Sequence, residues 1–133
     1  MLKKANIIEK PWGHEEIWTS STRYVGKTLF IKKGHRLSRQ YHRLKEETIM
    51  VLEGVLQVEA GPYADGGDIH TVRLGQGMTF HLPPGTVHRF TPEGGDVRLV
   101  EVSTPETHDV VRIEDDYGRP CEGLPPLPRG NRK

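Results

Sequence analysis

Gly34-His35-Arg36-Leu37-Ser38-Arg39-Gln40-Tyr41-His42, followed five residues later by Glu47 at the head of an apolar segment that closes at Gly54, forms one unit of strand, turn and strand. Side chains of a strand alternate between faces, so Gln40 and His42 point the same way, and a hairpin lays the strand begun by Glu47 alongside them. Three donor groups can therefore converge on one wall. A second unit repeats the pattern: Gly77 opens a strand, Pro83-Pro84-Gly85 turns the chain, and His88 follows the turn directly.

Between and around these units the chain is punctuated by 15 glycines and 10 prolines, set between short runs rich in Val, Ile, Leu, Thr and Phe. The runs read as strands over 14–20, 24–32, 37–43, 48–52, 55–60, 69–74, 78–82, 87–91 and 97–104. Turn chemistry falls at Lys33-Gly34, Glu53-Gly54, Ala64-Asp65-Gly66-Gly67, Pro83-Pro84-Gly85 and Glu93-Gly94-Gly95. No segment of comparable length keeps a 3.6-residue apolar period. An all-β sandwich or closed barrel is the expectation.

The 133 residues suit one domain. With 19 Lys+Arg against 18 Asp+Glu, the formal net charge is +1, which offers no electrostatic footprint for nucleic acid or an anionic membrane. The single cysteine, Cys121, makes no internal disulfide, and no apolar run approaches the ~18 residues of a membrane-spanning helix. Met1-Leu2-Lys3-Lys4 leads into mixed polar sequence rather than the core of a signal peptide, so a cytoplasmic protein is expected. From residue 120 onward the chain, with Leu124-Pro125-Pro126-Leu127-Pro128, reads as a Pro/Gly-rich tail beyond a domain over 1–119.

The two units resemble the two cupin motifs, with Gln40 where the first histidine of a histidine pair is usual and Pro92 where an asparagine is expected after His88. Leu37-Ser38-Arg39-Gln40-Tyr41-His42 makes the resemblance closest to the type II phosphomannose isomerases and their stand-alone relatives. It extends to Pro11-Trp12-Gly13, to Pro83-Pro84-Gly85-Thr86-Val87-His88-Arg89, to Glu101-Val102 and to the run from Asp109 to Arg119. The resemblance implies an antiparallel jelly-roll (double-stranded β-helix) barrel carrying an N-terminal strand extension. It also implies one divalent metal, zinc or manganese first and iron, cobalt or nickel next, held by Gln40, His42, Glu47 and His88. Imidazole, carboxylate and amide donors suit such ions. The activity implied is isomerisation of mannose 6-phosphate to fructose 6-phosphate, with the metal polarising the carbonyl, Glu101 as the candidate proton shuttle, and Arg89 and Arg112 holding the phosphate. A homodimer with a small-molecule sugar phosphate as its partner, and neither nucleic acid nor membrane, completes the expectation. The alternatives are a non-catalytic metal-binding cupin for a sugar or small metabolite, and an iron-dependent dioxygenase built on His42, Glu47 and His88, since one fold hosts many chemistries.

Other residues have plainer readings. Trp12 and Trp18 read as packing residues at a barrel end or an interface. Alternation leaves open whether Glu101 and His81 face inward. His14, His35, His70 and His108 occupy turn or edge positions and read as exposed, and Asp115 and Asp116 as a solvated acidic face.

Overall fold

The computed structural model describes residues 1–62 and 68–122; the turn read at 64–67 and the proline run from residue 124 lie outside the described residues. Eleven strands form: β1 (Asn6–Lys10), β2 (Gly13–Ser20), β3 (Val25–Ile31), β4 (Arg39–Tyr41), β5 (Glu47–Glu53), β6 (Leu56–Pro62), β7 (His70–Leu74), β8 (Thr79–Leu82), β9 (Thr86–Pro92), β10 (Val97–Ser103) and β11 (Val111–Glu114). They make a six-stranded sheet in the order β1-β2-β3-β10-β5-β8 and a five-stranded sheet in the order β11-β4-β9-β6-β7. Every pairing is antiparallel. Among the described residues no helix forms, and the two sheets close on each other as the jelly roll expected.

Two-residue alternation builds the core. On β10, Val97, Leu99, Glu101 and Ser103 are buried while Val102 is exposed, and on β5 the buried set is Glu47, Ile49 and Val51. Leu29, Ile31, Leu56, Val58, Leu74, Leu82 and Phe90 complete the apolar interior, with Trp12 closing one end. Glu101 therefore faces inward, whereas His81 faces out, where its Nε2 lies 2.6 Å from Glu46. His14 and His35 are half-buried rather than exposed, His35 because its Nδ1 meets the Tyr117 hydroxyl at 3.2 Å. Trp18 is 45% exposed on the outer face of the larger sheet, its ring lying over Gly26 so closely that a Cβ there would come within 2.4 Å of it.

β1 and β11 lie outside the nine runs read from the sequence. The first is exposed along almost its whole length, and the second is four residues long, so neither carries a clean alternation. The reading of 37–43 as one strand shortens to Arg39–Tyr41, because His42 and Arg43 already turn toward β5. Gly85, at φ +84°, takes the left-handed conformation that favours glycine, and its N–H donates to the His42 carbonyl at 2.7 Å. The turn of the second unit is thereby tied to the end of the first.

Candidate metal centre

Register places the donors. Gln40 on β4 is paired with His88 on β9 in the smaller sheet, and Glu47 on β5 is paired with Ser103 on β10 in the larger one, two residues from Glu101. Closing the barrel brings these walls together: one ligand atom each from His42, Glu47 and His88 lies within 4.8 Å of the others. His42 Nε2 is 3.3 Å from Glu47 Oε2, and His88 Nε2 is 3.7 Å from Glu47 Oε1. All three residues are at most 3% exposed.

The outward nitrogens of both imidazoles are spoken for. His42 Nδ1 lies 2.6 Å from the Asp109 carbonyl and His88 Nδ1 lies 2.9 Å from the Thr86 carbonyl. A carbonyl only accepts, so each Nδ1 carries the hydrogen and a neutral ring presents the Nε2 lone pair inward. Those two Nε2 atoms are buried without a hydrogen-bond partner and face the Glu47 carboxylate, of which Oε2 is also met by the Lys45 ammonium at 3.0 Å. Two inward imidazole lone pairs against a carboxylate leave room for a cation among them, and two imidazoles with one carboxylate are a donor set that zinc, manganese, iron, cobalt or nickel accepts. The residues present fit the group. Gln40 lines the same cavity, its Oε1 accepting from the Ser38 hydroxyl at 2.6 Å.

The electrostatics are those of a buried ionic ladder. Lys45, itself 6% exposed, places Nζ 3.0 Å from Glu47 Oε2 and 3.0 Å from Glu101 Oε2, and Lys27 reaches Glu101 at 3.7 Å and Glu15 at 3.2 Å. Burial pushes Glu47 up, yet in acid a hydrogen bond from protonated His42 and the positive charges of protonated His88 and of Lys45 outweigh it and hold the carboxyl well below the usual carboxylate range. Burial lowers His88 to about 4 against the pull of Glu47, which keeps the ring neutral near pH 7. Burial would also lower Lys45, but Glu101 and Glu47 win and raise it, so the ammonium stays charged. Glu101 is raised, first by burial and then by the charge of Glu47, with Lys27 and Lys45 opposing.

Above the ligands opens a cavity of about 300 Å³, lined by five cationic side chains and three carboxylates. The carboxylates are Glu15, Glu47 and Glu101, all engaged by Lys27 or Lys45. Arg119 is held by Asp115, with Nη2 to Oδ1 at 2.7 Å. Arg112 has a buried Nε without a hydrogen-bond partner, and burial followed by the neighbouring Arg119 lowers its pKa. The structure does not bring Arg89 to this cavity: its guanidinium donates to the Leu37 carbonyl at 3.0 Å and the Glu114 carbonyl at 3.3 Å, on the other side of the smaller sheet. Sequence reading passed over Lys27 and Asp109 as participants. Lys27 sits in an ordinary alternating strand, and its only sequence signal is a lysine at an inward position.

A family model described as mannose-6-phosphate isomerase C-terminal matches residues 2–115. The alginate biosynthesis protein AlgA of Pseudomonas aeruginosa is 29% identical over 129 residues, covering 94% of this chain and 25% of that protein. Mannose-1-phosphate guanylyltransferase ManC of Salmonella typhimurium is 32% identical over 116 residues, covering 84% of this chain and 23% of that protein. The chain thus spans about a quarter of the length of the curated relatives it matches. Among solved structures, the capsular polysaccharide assembling protein CapF from Staphylococcus aureus superposes with TM-score 0.74 at 16% identity, over 85% of this chain and 32% of that one. An RmlC-like cupin from Shewanella frigidimarina gives TM-score 0.64 at 19% identity, over 79% of this chain and 87% of that one.

These relatives correct the expectation of a mannose-6-phosphate isomerase. They are named for guanylyl transfer to mannose 1-phosphate and for polysaccharide biosynthesis, so the motifs that suggested an isomerase mark a domain shared with those proteins. The motifs carry a fold and a donor set, and neither dictates the reaction. The chain has the cupin fold, and it belongs to the family described as mannose-6-phosphate isomerase C-terminal.

Proposed function

We propose that this chain is a metal-bearing cupin module that binds a phosphorylated mannose, the kind of sugar for which its mannose-1-phosphate guanylyltransferase relative is named. The observation that carries the reading is the convergence of the unpartnered buried Nε2 atoms of His42 and His88 on the Glu47 carboxylate, beneath a cavity that is also lined by Arg112, whose buried Nε has no hydrogen-bond partner. A divalent ion between His42, Glu47 and His88, with Gln40 beside it, would supply a Lewis-acidic point for sugar hydroxyl or carbonyl oxygens. Arg112 would take the phosphate, since a dianion in a half-dry cavity needs a charge-assisted partner. The Lys27–Glu101–Lys45 ladder holds Glu47 ionised and fixed, leaving Trp12, which also lines the cavity, as an apolar surface for the sugar ring.

The test is a calorimetric titration of the metal-loaded chain with mannose 1-phosphate and with mannose. A charge-assisted contact contributes about 1.5–3 kcal/mol. Arg112→Ala is therefore expected to weaken mannose 1-phosphate by roughly ten- to a hundredfold and to leave mannose nearly unchanged. Equal losses for both ligands would remove the phosphate role, and no binding of either by the parent chain would overturn the reading. The homodimer that the resemblance implies is proposed to form through the outer face of the larger sheet, where Trp18 and Val102 are about half exposed; sedimentation velocity of Trp18→Ser against the parent checks it, a shift toward monomer being expected.

A further inference from the structure

Asp109 lies in the connection between β10 and β11, seven residues beyond Val102 and far in sequence from the ligands. It nevertheless meets the ligand-bearing connection from His42 to Glu47 at four points. Its backbone carbonyl lies 2.6 Å from His42 Nδ1. Its carboxylate accepts three successive backbone N–H groups, from Arg43 at 3.0 Å, Leu44 at 2.6 Å and Lys45 at 2.9 Å. Three convergent amides on one carboxylate are charge-assisted bonds, and they hold Asp109 below the ordinary aspartate range although burial opposes them. Two further bonds fasten the same connection: Glu46 N–H to Thr104 Oγ1 at 3.0 Å and Thr104 N–H to the Glu46 carbonyl at 3.0 Å.

We infer that Asp109 is the positioning residue of the metal centre. One residue sets the His42 tautomer through its carbonyl and, through its carboxylate, fixes the backbone that aims His42, Lys45 and Glu47 into the cavity. The inference rests on the reading that His42, Glu47 and His88 hold a divalent ion. A stability role alone would make Asp109 indifferent to the geometry of the bound ion; a positioning role makes that geometry depend on it.

The experiment titrates cobalt(II) alone into the chelator-stripped full chain, following its visible d–d absorption, for the parent, His42→Ala, Asp109→Ala and Asp109→Asn. Partners of this kind in the outer shell of a metal typically govern about ten- to a hundredfold in affinity. Asp109→Ala is expected to bind cobalt more weakly by that order and with shifted d–d bands. Asp109→Asn keeps one oxygen for the three amides and should fall between it and the parent. Parent affinity and parent spectrum in Asp109→Ala would overturn the inference, as would weaker binding with unchanged bands. Should Asp109→Ala fail to fold, Asp109→Asn decides by the same two readouts. No binding by the parent, with His42→Ala indistinguishable from it, would overturn the metal reading and this inference with it, whereas binding lost only in His42→Ala would overturn this inference alone.

Discussion

His42 and His88 illustrate how a single proton assignment directs a site. Each ring donates Nδ1–H to a backbone carbonyl, so in the neutral ring the inward Nε2 accepts, and both face the Glu47 carboxylate. Replacing either ring by alanine is expected to remove most of the bound divalent metal while the far-ultraviolet circular dichroism of the barrel is kept, because the apolar interior of Leu29, Val51, Val58 and Leu99 does not include the ion. Metal analysis after dialysis checks this, and full occupancy in both variants would refute the donor assignment. Gln40 offers a subtler comparison. Its amide oxygen, already bonded to Ser38, is a weaker ligand than imidazole for zinc-like ions. Gln40→His should therefore raise zinc affinity, measured by competition with a chromogenic chelator; unchanged affinity would place Gln40 outside the coordination sphere.

The elements show what alternation can and cannot announce. The strands over 48–52 and 97–104 were legible because inward apolar residues alternate with outward polar ones, and the donors at Glu47 and His88 were legible because each sits one turn from a glycine-marked unit. The N-terminal and C-terminal strands were not among the runs read, since β1 buries almost nothing and β11 is too short for a period to emerge. Alternation alone sets Arg89, next to inward His88 on β9, on the opposite face of the smaller sheet, where it donates to backbone carbonyls. That Arg112, on a strand distant in sequence, lines the cavity depends instead on which strands become neighbours. The Glu53-Gly54 turn between β5 and β6 gives an element-level test. Gly54 has φ +88°, and a Cβ there would lie 2.4 Å from the Asp96 carbonyl, whereas at Gly95 it would meet nothing within 4 Å. Gly54→Ala is expected to lose about 1–3 kcal/mol in urea unfolding, with Gly95→Ala near the parent; equal midpoints for the two would refute the strain argument.

At the scale of the whole molecule, the buried charges predict how the metal-free barrel responds to acid. His88 has a folded pKa of about 4 against an ordinary 6.5, so between those values the unfolded chain binds more protons and acid favours unfolding. Glu47 and Asp109, both lowered, and Asp115, lowered to about 2 chiefly by its bond from Arg119, act in the same direction at lower pH, because stability present above their ordinary pKa is lost as they protonate. Glu101, raised by burial and by Glu47, opposes them, since the folded state takes up its proton first. The contribution of His88 is separable from these by its own window: it should be complete above pH 7 in the chelator-treated chain and be lost between about pH 6.5 and 4, by on the order of 3 kcal/mol for a shift of this size. His88→Gln, which cannot take up the proton, should flatten that limb while leaving the later, carboxylate-driven fall below pH 4. Urea titrations across pH measure both limbs. An unchanged upper limb in His88→Gln would mean that the acid sensitivity originates elsewhere in the barrel and that His88 is not the neutral buried ring described above.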